Sequence, residues 1–270
     1  MGRLKPFLFD YIPRKYVSEV IGKISNLNNP AFQKRLIRWF IKKYNVNTEE
    51  ILFPPEHYKT LGEFFVRELK TGVRSISERS IIAPVDGVVT ECGKLGNGVF
   101  MCKGEELSVR ELLDNDEFLS EFKEGYYTIH YLNPRDYHWI HSPVDGEIYK
   151  MVRLKGDLYP VFDDMICRKK DILCINERLN VFIRAGSFRM CVSMVAAMGV
   201  GNIIPSDKIL GHNPTDGYID LNKNPIRISK GEKIAVFALG STVVLVFNNY
   251  EPDYDLKGKY LELGSGISKK

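Results

Sequence analysis

Two patterns of apolar residues divide the chain. Through the first 60 positions they recur at helical spacing, with turns marked by Pro13, by Asn28-Asn29-Pro30 and by Pro54-Pro55. The clearest helix follows Pro30. Phe32, Leu36 and Phe40, with Ile37, Ile41 and Tyr44, repeat along one side, while Lys34, Arg35, Arg38, Lys42 and Lys43 load the flanks and the other side. Leu61-Gly62-Glu63-Phe64-Phe65 reads as one more short helix. Beyond it come short runs rich in β-branched and aromatic residues, bounded by Gly, Pro, Asn or Asp. These predict strands over 81–92, 126–132, 144–152, 173–175, 179–184, 190–200 and 233–247, with a helical interruption over 108–115 and no βαβ rhythm. The expected fold is α+β and β-dominated: a helical segment, 1–60, ahead of a β-rich domain, 61–270, with an antiparallel core.

A near repeat refines that core. Ala83-Pro84-Val85-Asp86-Gly87-Val88 and Ser142-Pro143-Val144-Asp145-Gly146-Glu147 share one phrase, which also opens strands in biotin- and lipoate-carrier domains. It predicts a barrel-sandwich-like β element used twice. In each copy the Asp-Gly pair is first of all a turn, in which a carboxylate binds backbone amides.

With 270 residues and 44 % hydrophobic content the chain can bury a substantial core. Its net charge of +4 is unevenly spread, for residues 1–46 carry ten Lys or Arg against Asp10 and Glu19 alone. A basic amphipathic helix of this kind suits an anionic membrane surface, with Trp39 placed for the headgroup layer. The other reading packs the same stripe on the protein's own core. Nothing in the pattern points to nucleic acid. Five cysteines, with no CxxC or Cys/His cluster, read as free thiols and predict no metal site. Met1 to Arg14 lacks the uninterrupted apolar core of a signal peptide, Pro6 stands where a myristoylation start needs Ser or Thr, and no run reaches the roughly 20 apolar residues that span a bilayer. The expected location is peripheral, on the cytoplasmic face of the cell membrane.

The candidate chemistry lies in three places. Leu239-Gly240-Ser241-Thr242 interrupts two apolar runs near the C-terminus; Asp86 sits in the first Pro-Val-Asp-Gly phrase; and Asp136-Tyr137-His138-Trp139-Ile140-His141 offers two imidazoles. Together they supply the parts of an Asp/His/Ser relay. A serine hydroxyl beside a peptide carbonyl can attack it once a base takes its proton, and glycine before the serine leaves room for that approach. Taken alone, the Gly-Ser pair reads first as a tight bend in a buried strand.

These segments together resemble the phosphatidylserine decarboxylase family, pyruvoyl enzymes that cut their own chain at a Gly-Ser bond. The likeness runs from about Leu61 to Phe247 and includes Gly156-Asp157-Leu158-Tyr159-Pro160, Asn176-Glu177-Arg178, Val200-Gly201-Asn202-Ile203 and Lys230-Gly231-Glu232. Phe162 stands where the family commonly has Asn, and Ala196-Ala197-Met198 replaces its Gly-Ala-Thr. The resemblance implies cleavage between Gly240 and Ser241, with Ser241 becoming a covalent pyruvoyl group. His141 would be the base, Asp86 would fix its tautomer, and His138 would protonate the carbanion left after CO2 departs. It implies phosphatidylserine as substrate and phosphatidylethanolamine as product. It also implies a heterodimer of the large and small chains, assembled further as a homo-oligomer.

Three alternatives stay open at this level. One is a pyruvoyl enzyme acting on another amino-acid-bearing lipid or a soluble amino acid. Another is a non-catalytic carrier-type β domain, although the carrier lysine is missing. The last is a serine hydrolase, although the chain lacks a Gly-x-Ser-x-Gly elbow.

Overall fold

The computed structural model describes residues 13–114, 116–161, 171–199, 202–212, 214–238 and 241–269. Helices α1 (Arg14–Ser25) and α2 (Pro30–Tyr44) open it. The Asn29 side chain caps α2 by accepting the Phe32 amide at 3.1 Å, and Pro30 takes the first helical position, where a missing N–H costs nothing. Helix α3 (Leu61–Phe65) begins at Thr60, whose hydroxyl accepts the Glu63 amide, while Glu63 reaches back to the Lys59 amide.

The apolar stripe of α2 is used inside the molecule. Ile37 and Phe40 pack with Val46, Ile51, Leu61, Phe64 and Phe65 in a small core of their own. Phe40 meets the rings of Phe64 and Phe65 edge-on, at centroid distances of 6.2 and 5.9 Å. Phe32 and Trp39 stay exposed, Trp39 at 53 %. Most of the side that periodicity offers to a membrane therefore holds the helix on the protein.

The β domain has fourteen strands among the described residues: β1 (Gly87–Lys94), β2 (Val99–Cys102), β3 (Glu105–Ser108), β4 (Tyr126–Leu132), β5 (Trp139–His141), β6 (Gly146–Leu154), β7 (Arg178–Ala185), β8 (Phe188–Ala196), β9 (Ile203–Pro205), β10 (Gly217–Asp220), β11 (Ile226–Ile228), β12 (Lys233–Phe237), β13 (Ser241–Phe247) and β14 (Tyr260–Leu261). Every pairing between these strands is antiparallel, as expected. The main sheet runs β10-β6-β7-β8-β13-β4-β1-β14, with β11 also on β6; β5-β12-β9 and β2-β3 form smaller sheets. Short helices α4 (Val109–Leu113), α5 (Asp116–Phe122), α6 (Ile172–Ile175) and α7 (Asp207–Leu210) lie in the connections.

Two expectations change. Residues 173–175 are helical, in α6, where the amides of Cys174 and Ile175 return to the Asp171 carbonyl. An apolar run of that length carries too little periodicity to separate strand from helix. The run over 233–247 is two strands in two different sheets, β12 and β13, and the Gly240–Ser241 bond falls at their junction. Strand β13 lies inside the main sheet between β8 and β4, and Val243 to Phe247 are fully buried, so the side chains on both of its faces are covered.

The two Pro-Val-Asp-Gly phrases lie side by side. The Ile82 amide donates to Pro143 O at 3.1 Å and the His141 amide to Pro84 O at 2.9 Å, so each phrase meets the chain leading into the other. The C-terminal tail completes this layer: the Ala83 amide binds Ser265 O, and the Ile267 amide binds Ile81 O. Among the described residues no helix is long and apolar enough to cross a membrane, and no cluster of His, Cys, Asp and Glu could hold a metal ion.

Candidate active site

The β5–β12 ladder places the two histidines. Trp139 pairs with Val236, Ile140 with Ala235 and His141 with Lys233, and the Phe237 amide donates to the His138 carbonyl at 3.1 Å. His138 therefore lies at the end of the ladder that leads into the Gly240–Ser241 bond. His141 lies at the opposite end. Ser241 opens β13 in the middle of the main sheet, opposite Leu132 on β4 and Ala196 on β8. Leu239, Gly240 and the Ser241 side chain lie outside the described residues, as do Phe162, Val200 and Gly201.

His138 is fully buried. Its Nδ1 is 2.8 Å from the Asp136 carbonyl, which can only accept, so Nδ1 carries the ring proton and Nε2 is a bare lone pair. Nε2 has no hydrogen-bond partner among the described residues. Burial, helped by the Arg67 charge, pushes this imidazole down to about 3. It is neutral at physiological pH, with its basic nitrogen uncommitted.

His141 is held differently. Its Nδ1–H donates to the Gly231 carbonyl at 2.7 Å, and its Nε2 accepts from the Tyr137 hydroxyl at 3.3 Å. Gly231 has φ of +82°, and a Cβ there would stand 2.8 Å from Ile76 Cδ1, so this carbonyl direction is open to glycine and strained for other residues. Burial lowers the His141 pKa, opposed by the hydrogen bond to Gly231. The expected direct contact from Asp86 is replaced: the carbonyl of Gly231 fixes the tautomer.

Asp86 is buried ahead of β1 and faces a cation. Arg74 grips it through Nε and Nη2 at 2.9 and 2.6 Å, and the Leu263 amide adds a third donor at 2.7 Å. Arg74 Nη2 also reaches Glu50 at 2.8 Å. Burial disfavours the guanidinium, but Asp86 and Glu50 more than offset that and raise its pKa. Asp145, the counterpart in the second phrase, takes the Lys230 amide instead. Asp86 and Tyr137 line one polar cavity of about 230 Å³, together with Arg67, Arg74, Asp136 and Tyr260.

Arg67 is the hub between helical segment and histidines. It is buried, with its pKa pulled to about 10 by desolvation, and Nη2 donates to the carbonyls of both Arg135 and Asp136. Asp136 in turn accepts the Asn133 amide and the Tyr260 hydroxyl. The Trp139 indole N–H donates to Val66 O at 3.0 Å. The chain from α3 to Arg67 thus docks directly on the 135–141 segment.

A family model described as phosphatidylserine decarboxylase matches residues 61–267. The chain belongs to the phosphatidylserine decarboxylase family. A second model, described as PSD, matches residues 8–45. Curated family relatives include the phosphatidylserine decarboxylase proenzymes of Vibrio vulnificus, 35 % identical over 92 % of this chain and 90 % of the relative, and of Myxococcus xanthus, 34 % identical with the same coverage. The proenzyme of Idiomarina loihiensis is 36 % identical over 91 % of this chain and 88 % of its own.

In this family member the basic residues beside the motifs, Arg153, Lys155 and Arg178, divide clearly. Arg178 is buried and donates to the carbonyls of Leu112, Glu111 and Asn176, and Arg153 binds Glu177 and Ile203 O. Both hold the fold. Lys155 is exposed, pairs with Asp216, and lines a groove of about 980 Å³ together with Ser18 and Gly22 of α1, Asn202, Ile203 and Ala238. Ala238 immediately precedes the junction. Arg67, Arg74, Tyr260 and Glu68 are absent from any sequence reading, because no spacing marks a residue whose partners lie far along the chain.

Proposed function

We propose that the chain is a self-processing proenzyme that cuts its Gly240–Ser241 bond, converts Ser241 to a pyruvoyl group, and decarboxylates phosphatidylserine to phosphatidylethanolamine and CO2 at a membrane surface. One observation carries this reading. The bond lies where β12 passes into β13, and the register of β12 with β5 sets His138 beside the last residue of β12, its Nε2 buried and without a partner among the described residues.

In the cleavage step the Ser241 hydroxyl adds to the Gly240 carbonyl, His141 takes the hydroxyl proton, and the amide C–N bond breaks to give an ester with a free amine. Loss of the Ser241 Cα proton expels the Gly240 carboxylate. The resulting dehydroalanine hydrolyses to the keto group and ammonia. The Asp86 charge favours the imidazolium, as the smallest of the influences on His141. A pyruvoyl ketone supplies an electron sink for the loss of CO2 from an amine-bearing substrate. For His138 to protonate carbon, its bare Nε2 must first take up a proton; burial then makes the imidazolium give it up readily.

The groove between α1 and β9 is the proposed approach for the lipid head group, since it ends at Ala238 and has Lys15 and Lys155 on its rim. The exposed residues of the helical segment, Tyr16, Ile24, Leu27, Phe32 and Trp39, would meet the bilayer on its cytoplasmic face among the lysines of α1 and α2.

Intact-mass analysis under denaturing conditions tests the reading. Two chains meeting at Gly240, with a keto group at residue 241, are expected from the native sequence, and one full-length inactive chain from Ser241→Ala. An active Ser241→Ala protein would overturn it.

A further inference from the structure

Phe65, Val66 and Arg67 follow one another out of α3, and each touches the segment that carries His138. The Phe65 ring lies against the imidazole, the Val66 carbonyl accepts the Trp139 indole N–H, and the Arg67 guanidinium donates to the carbonyls of Arg135 and Asp136. The last contact reaches the histidine through one atom. The Asp136 carbonyl oxygen takes Arg67 Nη2 at 2.9 Å and His138 Nδ1–H at 2.8 Å, so its two lone pairs serve a buried cation and a buried ring. That oxygen belongs to a turn, in which the Asp136 amide donates to Asn133 O at 2.9 Å. The carbonyl of a turn can rotate with its peptide plane, and here one nitrogen, Nη2, bridges two successive carbonyls and pins both planes. Arg67 is itself fixed. It is 3 % exposed, and its guanidinium carbon lies over the Phe64 ring, 5.3 Å from the centroid.

We propose that Arg67 is the positioning residue for His138: by holding the Asp136 carbonyl it keeps the ring proton on Nδ1 and leaves Nε2 bare. This rests on the reading of His138 as the proton donor in decarboxylation. Loss of CO2 leaves an electron pair on carbon, and the reaction draws one proton from solvent to fill it. The Nε2 lone pair takes that proton, the N–H bond breaks as the C–H bond forms, and the ring returns to its neutral Nδ1–H form. The other tautomer cannot begin this cycle. Its Nε2 already carries a hydrogen, and its Nδ1 lone pair would stand against the carbonyl oxygen. The Arg67 charge also helps to keep the ring neutral between turnovers.

The test compares the processed native enzyme with Arg67→Met, Arg67→Lys and His138→Ala, each confirmed as cut by intact mass. Nitrogen-15 chemical shifts of the imidazole at neutral pH report the tautomer, and turnover of phosphatidylserine vesicles gives kcat and KM. The native ring should show Nδ1 protonated and Nε2 bare. Arg67→Met keeps most of the stem and removes the donors; it should give a mixture of tautomers and lower kcat at least about tenfold, with KM within about twofold of native. Arg67→Lys returns the charge on a single point that cannot bridge two carbonyls, so its losses should be smaller but present. A role in packing alone would weaken Arg67→Met toward urea and leave tautomer and kcat as native. Arg67 has no positioning role if Arg67→Met, or Arg67→Lys should the first variant not fold, keeps the single Nδ1–H tautomer and the native kcat while His138→Ala is cut but inactive. If His138→Ala turns over at the native rate, the proton-donor reading fails and the role of Arg67 fails with it.

Discussion

The imidazole of His138 packs against the ring of Phe65, with centroids 4.1 Å apart and planes tilted by 50°. Phe65 belongs to α3, so a side chain from the helical segment supplies part of the water-free wall around this histidine. Phe65→Ala should cost about 3–5 kcal/mol, the usual cost of emptying a buried aromatic site. It should also admit water and move the His138 pKa from about 3 toward the ordinary 6.5. Urea denaturation reads the first effect, and NMR titration of the ring protons reads the second.

His130 and His138 are both fully buried and both lowered to about 3, in each case first of all by desolvation. Each binds its proton more weakly folded than unfolded, so the unfolded state takes up more protons below pH 6.5 and stability falls as pH falls. Above pH 7 the two contribute no slope. By pH 5.5 each should have removed about 1.4 kcal/mol from the unfolding free energy. Denaturation of uncut Ser241→Ala protein between pH 7.5 and 5.5 measures this loss, and His130→Gln should remove about half of the slope. A flat profile over that interval would refute the neutral, buried assignment.

Arg74 leaves Asp86 little exposed charge, for the carboxylate is 2 % accessible and the guanidinium 10 %. Arg74→Met strands a buried carboxylate with only the Leu263 amide, and destabilisation of about 3 kcal/mol is expected. Adding Asp86→Asn should recover part of that loss, because the orphaned charge goes with it. A double-mutant cycle on the Ser241→Ala background, followed in urea, gives the coupling directly.

Helix α2 separates packing from surface chemistry in adjacent residues. Phe40→Ala removes a ring at the centre of the small helical core and should cost about 3–5 kcal/mol. Trp39→Ala changes a residue that is half exposed, and its effect on stability should stay within about 0.5 kcal/mol. Vesicle co-sedimentation with anionic lipid should report the reverse order: weaker binding for Trp39→Ala, and binding of the native protein that declines as salt rises. Equal binding by Trp39→Ala and native protein would remove α2 from the membrane contact.

The sequence carries the order of elements well wherever periodicity is long or a cap is present, as at Asn29-Pro30 and Thr60-x-x-Glu63. It misses the break after Phe237, because an apolar strand that leaves one sheet and an apolar strand that enters another read as one run. For the site, Asp86, His138, His141 and Ser241 are visible as chemistry-bearing residues in compact motifs. The partners that decide their protonation are not visible. Gly231 is 90 positions from His141 and Leu263 is 177 from Asp86. A backbone carbonyl or amide has no residue-type signature, so Lys230-Gly231-Glu232 is legible as a motif while its function, aiming a carbonyl at an imidazole, is set by a positive φ that only coordinates reveal.

Strand β13 is paired along its whole length, seven positions to β4 on one side and seven to β8 on the other. The tail that follows is threaded against residues 77–83 and touches both Asp86 and Asp136. A cut just ahead of Ser241 would therefore create two new chain ends and no new interface. The 30-residue product would be a seam within the sheet, and removing it would mean unravelling the sheet itself. Dilution should not part the two pieces at any concentration where the fold persists. Cut in this way, the molecule would need no step to bring its two polypeptides together, and their number would record the history of a broken bond more than any act of association.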